Sequence, residues 1–149
     1  MTRSQQFLIQ NIKALENQYY WLARSYRICQ KIPLSTPYLP EAMDALETLC
    51  SRFARSIDYL IRRVFRSIDD VEFENQGTLI DVVHHAEKRG LIESTEQMRI
   101  IKEIRNEIVH EYTQEDIQRL FSDALKYTPA VLAIMEKSIN YGQRYCDKD

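Results

Sequence analysis

At 149 residues, with 20 Lys and Arg against 22 Asp and Glu, a formal net charge of −2 and 44% hydrophobic residues, the chain has the make-up of one globular domain. A chain this long buries about 70% of the surface it exposes when unfolded, so its core needs neither a metal nor a disulfide. The charge balance excludes a protein that is basic throughout and requires any nucleic-acid site to be a local face. Three cysteines, Cys29, Cys50 and Cys146, are odd in number, far apart and without C-x-x-C spacing, which reads as reduced thiols in a cytoplasmic protein. Polar residues interrupt the apolar ones of the N-terminal stretch, and no apolar run reaches about 18 residues. Neither a secretory leader nor a membrane partner is expected.

In chain order, Leu8, Ile12, Leu15, Tyr19, Leu22, Tyr26 and Cys29 recur at spacings of four and three, which predicts an amphipathic helix over about 5–32. The loop KIPLSTPYLP ends it, because each proline disfavours helical geometry in the residue before it and has no N–H. A second helix begins near Glu41 with the stripe Leu46, Leu49, Phe53, Ile57, Leu60, Val64 and Ile68, and the acidic stretch DDVEFENQG closes it. A shorter third helix over about 78–88 turns Leu79, Val82, Val83 and Ala86 inward, with Gly90 just past its end. Ser94 and Gln97 have capping-box spacing for a fourth helix carrying Met98, Ile101, Ile104 and Ile108, expected to end near Tyr112. Thr113 is placed to cap the last helix, which carries Ile117, Phe121, Ala124, Val131, Ile134 and Ile139 and should kink at Pro129. The expectation is a single all-α domain over 1–149, an up-and-down bundle of four or five helices.

On a wheel of about 100° per residue, Arg52, Arg55, Tyr59, Arg62, Arg63 and Arg66 share one arc of the second helix, opposite its apolar stripe. Guanidinium groups fork phosphate oxygens and an aromatic ring stacks on a base, so this face suits RNA. A solvated face laced with ion pairs would show the same stripe. The most informative stretch is Arg105-Asn106-Glu107-Ile108-Val109-His110-Glu111-Tyr112. Arg105 sits on the flank of the buried stripe, where a charge requires a carboxylate, a cleft or another subunit. Asn106 and His110 lie on a second line, about 120–140° around an ideal helix from the line of Arg105 and Tyr112. Convergence therefore needs a break at the helix end or a symmetric partner. Histidine moves protons near neutrality and arginine stabilises charge growing on a phosphate. Together they suit metal-independent RNA cleavage in which the ribose 2′-OH is the nucleophile. Taken singly, His110 could as well meet the helix dipole and Arg105 an internal carboxylate. Adjacent His84 and His85 diverge by about 100° and read as surface or packing residues rather than a metal pair.

R-x4-H-x-Y with Asn after the Arg resembles the motif of HEPN-domain ribonuclease toxins, of the HepT kind in HepT–MntA (type VII) toxin–antitoxin pairs. The helical chain of this length and the SRFARSID segment, Ser51 to Asp58, are similar to that family as well. The resemblance implies a homodimer with a composite ribonuclease cleft at the two-fold axis, built from Arg105, Asn106 and His110 without a cofactor. It also implies a partner, an MntA-type nucleotidyltransferase antitoxin, that transfers AMP from ATP onto Tyr112 and silences the enzyme. Two other functions stay open: a non-catalytic helical protein that serves such a nucleotidyltransferase as its substrate-binding subunit, and a helical scaffold in which Arg105 pairs internally.

Overall fold

The computed structural model describes residues 1–74, 77–110, 113 and 115–146. Among these every regular element is a helix. Helix α1 (Arg3–Cys29) starts at Thr2, whose hydroxyl accepts from the Gln5 N–H while the Gln5 side chain accepts from the Thr2 N–H. Leu8, Ile12, Leu15, Leu22 and Cys29 of the expected stripe are buried, with Tyr19 and Tyr26 packed at its margin. Pro40 opens the second helix, where its missing N–H costs nothing. That helix is one rod of three segments: α2 (Pro40–Tyr59), a π-helical stretch (Leu60–Phe65) and α3 (Arg66–Val71). Then follow α4 (Leu79–Lys88), α5 (Thr95–Val109) and α6 (Ile117–Cys146).

Cross-helix contacts fix the directions. Cys29 donates its thiol to Ala45 O, Arg52 reaches Ser25, and Asn11 bonds both Tyr59 and Ser67, so α1 and the second rod run antiparallel. Gln118 reaches Leu34 at one end and Gln143 reaches Glu16 at the other, so α6 is antiparallel to α1. Arg105 meets Asp58, while Val109 and Glu47 line one groove, which makes α5 antiparallel to α2. The four long helices thus alternate in direction, and α4 packs against the π-helical stretch and α5. Phe53, Phe65 and Phe121 are the largest fully buried side chains of the shared core. Gly142 lets α6 approach α1 closely, since a Cβ there would lie 2.6 Å from two carbons of Ile12.

The caps are partly those expected. Gly90 has φ +77°, and the N–H groups of Gly90 and Leu91 bond Glu87 O and Ala86 O, a Schellman closure that needs the left-handed residue. Ser94 accepts from the Gln97 N–H at 3.0 Å, but the Gln97 side chain turns to Glu93 and leaves the box half made. Helix α5 stops at Val109, short of the expected Tyr112: the His110 backbone is extended, φ −92° and ψ 160°, and ends the ladder. Helix α6 begins at Ile117 rather than beside Thr113, whose hydroxyl donates to Asp116 instead. It runs on through Pro129.

Candidate functional site

The site starts from the flank of α5. Ile104 is buried and sets the helix against the core, which carries the next side chain, Arg105, to the half-buried margin facing α2. There Asp58 Oδ1 accepts from Arg105 Nε at 2.9 Å and Oδ2 from Nη2 at 2.8 Å. This fork-to-fork pairing holds the guanidinium plane in one orientation. A third N–H, on Nη1, goes to Asn106 Oδ1 at 3.2 Å. Of the five guanidinium N–H groups two remain for a ligand, and Asn106, with its oxygen engaged, keeps both amide hydrogens. The Arg105 side chain is 28% exposed and Asp58 39%, so the pair is accessible from solvent.

His110 stands at the end of α5 with its N–H bonded to Asn106 O at 3.1 Å. Its side chain is exposed and, among the described residues, has no hydrogen-bond or ionic partner. Because the helix stops at Val109, the angular spacing expected of His110 on a continuous helix does not apply: the break falls at His110 itself. Tyr112, the expected AMP acceptor, lies outside the described residues. Beside the Asp58–Arg105 pair runs a groove of about 370 Å³ between α2 and the end of α5, lined by Glu47, Ser51, Arg55, Asp58, Ile108 and Val109. Asn106 also borders a second groove, of about 440 Å³, between α4 and α5.

The expected arginine face divides. Arg52 donates to Trp21 O and, at 2.7 Å, to Ser25 Oγ, and its guanidinium lies 5.0 Å from the Trp21 ring centroid, so it is anchored to α1. Tyr59 points inward and donates to Asn11 Oδ1 at 3.0 Å; burial pushes its phenol pKa up, against the nearby charge of Arg63. That phenol is held inside the bundle and offers no outward ring for stacking. Arg55, Arg62 and Arg63 are exposed and Arg66 is half-buried. Part of the cause is the π-helical stretch, in which each residue advances by roughly 80° rather than 100° and rotates everything after it relative to the start of the rod.

A charged cluster not anticipated from the sequence joins α3, α4 and α6. Asp69, 2% exposed, accepts from Arg89 Nη1 and pairs with His85 Nδ1 at 3.0 Å. Arg89 Nε also donates to Glu72 at 2.8 Å, and Glu72 accepts from the hydroxyls of Tyr141 and Tyr145. Burial acts to raise the Glu72 pKa, but the bonds from Tyr145, Tyr141 and Arg89 win and hold it below the ordinary carboxylate range. His85 thus takes the packing role expected of it. The thiols of Cys29 and Cys50 are pushed up by burial to about 11 and about 12, which keeps them protonated and unreactive. Among the described residues no group of three or more His, Cys, Asp or Glu side chains could hold a metal ion, and no helix is long and apolar enough to cross a membrane. Comparison with models of protein families, with curated proteins and with solved structures gives no match.

Proposed function

We propose that the chain is a HEPN-like toxin, a metal-independent endoribonuclease that acts as a homodimer and is silenced by an MntA-type nucleotidyltransferase. The observation that carries the reading is Arg105: clamped in orientation by Asp58, joined to Asn106, half-exposed, and one helical turn from a solvent-facing His110. In the reaction the ribose 2′-OH attacks the adjacent phosphorus, losing its proton to a base, and the P–O5′ bond breaks as the leaving oxygen gains a proton. The products are a 2′,3′-cyclic phosphate and a free 5′-OH. His110 serves the proton transfers, while the two unspent N–H groups of Arg105 and the amide of Asn106 meet the charge on the phosphoryl oxygens. The exposed Arg55, Arg62 and Arg63 supply a local field for RNA within a chain of net charge −2.

A second copy supplies the other half of the cleft, and Tyr112 is the hydroxyl that takes AMP from ATP. An adenosine phosphate there would compete with RNA phosphate for Arg105. One observation favours a second reading, the helical scaffold: the Asp58 pair is also how a purely structural arginine would be satisfied. Induction of the wild type in bacteria beside His110→Ala separates the two. Growth arrest with RNA fragmentation by the wild type alone supports the nuclease, and equal growth of both supports the scaffold.

A further inference from the structure

Arg55 lines two neighbouring grooves. On one side it borders the groove of Asp58 and Val109; on the other it borders a polar groove of about 440 Å³ between α1 and α2, shared with Asn17, Gln18, Trp21, Arg52 and Ser56. The second groove is unusual in composition for a helix–helix seam. Trp21, 41% exposed although it is the largest side chain in the chain, has Arg52 against its ring and Tyr20 edge-on at 5.0 Å. Arg52 is fixed by its bonds to Trp21 O and Ser25, which holds the indole and guanidinium as a preformed pair. Arg55 has one long contact, 3.5 Å to Ser51 Oγ, and keeps most of its donors. The buried Gln18 Oε1 has no hydrogen-bond partner.

We propose that this groove is a nucleotide subsite: Trp21 and Arg52 form a platform for one base of single-stranded RNA, and Arg55 bridges its phosphate towards Asp58 and Arg105. The chemistry of the groove names the ligand. An exposed indole beside a guanidinium stacks on any base, which is worth about 1–3 kcal/mol per base in single-strand binding sites. Asn17 and Gln18 offer amide donors and acceptors to a base edge, and a base amino group reaching Gln18 Oε1 satisfies an acceptor the fold leaves unpaired. A phosphate alone would need the arginines but not the tryptophan. The substrate class rests on the ribonuclease reading; the subsite itself rests on the groove.

Trp21 is the sole tryptophan of the chain, so fluorescence excited at a wavelength selective for indole reports on this groove alone. The His110→Ala protein, titrated with a tetraribonucleotide at fixed ionic strength, should lose indole emission saturably. UMP and AMP should do so more weakly, and ribose 5-phosphate not at all. Arg55→Gln, an exposed surface change, should weaken the tetranucleotide at least several-fold. Quenching equal to that by ribose 5-phosphate, or emission that follows protein concentration rather than RNA, would overturn the subsite; the latter would mark Trp21 as a contact between copies. Cleavage by wild-type protein is read separately. RNA that quenches Trp21 but is never cut leaves the subsite standing and removes the nuclease, whereas RNA that is cut without any effect on Trp21 does the reverse.

Discussion

Asp58 decides what Arg105 can do. An isolated half-exposed arginine would sweep several rotamers and lose side-chain entropy on meeting phosphate, whereas the two bonds from Asp58 hold it before any ligand arrives. A pair this exposed stabilises the fold by at most about 1 kcal/mol, so its removal separates a structural role from a positioning one. Asp58→Asn should leave the melting temperature within a few degrees of wild type and yet reduce RNA cleavage at least tenfold, mostly in turnover rather than in apparent affinity. A large fall in stability with unchanged cleavage would make the pair purely structural. Asp58 was readable in the sequence only as the end of SRFARSID, because its partner lies 47 positions away. The motif residues themselves were legible, since Arg and His at this spacing on the margin of an apolar stripe are costly without a use. Where His110 points was not legible, because the helix stops at Val109 and the wheel ends with it.

Periodicity located the elements well wherever a side chain's place follows from its own helix. Leu8 to Cys29 and Met98 to Ile104 are buried as their spacing requires, and Gly90 closes α4 as expected of a residue that tolerates a positive φ. The π-helical stretch escaped because a wheel assumes one constant turn, and Asp69 escaped because an acidic run next to a helix end normally faces water. Its burial depends on Arg89 and His85, which only the packing of α4 brings near. The neighbouring Glu72 gives this junction a pH dependence of defined sign. Its folded pKa is lowered, so its contribution is complete above the unfolded value of about 4.3 and is lost as pH falls through the lower folded one. Glu72→Gln should therefore cost about 1–3 kcal/mol at pH 7, the worth of hydrogen bonds to a charged group, with the gap to wild type closing in acid. Denaturant melts at pH 7 and near pH 3 check this; a gap independent of pH would remove Glu72 from the account. At alkaline pH the sign is that of a raised group: burial and Glu72 push Tyr145 up to about 12, so its contribution is present below the unfolded value of about 10 and fades as pH rises through the folded one.

Across the whole molecule, the alternating long helices bring Asp58 of α2 and Arg105 of α5 together at one level of the bundle and leave His110 at the end of α5, open to solvent. Two copies related by a two-fold axis would double this surface and surround one phosphate from both sides. Sedimentation at micromolar concentration should give a dimer, and mixing inactive Arg105→Ala with inactive His110→Ala subunits should restore part of the activity if each site draws on both copies. A monomer in sedimentation, or mixtures as inactive as their components, would exclude a composite site. The central claim is the chemistry of Arg105 and His110 on RNA, and the most direct measurement is cleavage of a defined RNA by purified protein in excess chelator, with product ends mapped. The account predicts fragments ending in 2′,3′-cyclic phosphate and 5′-OH, an uncut substrate when the 2′-OH at the cleaved position is removed, and a loss of about 10²–10⁴-fold in folded His110→Ala. Full cleavage by folded His110→Ala, or equal cleavage of the 2′-deoxy substrate, would contradict it.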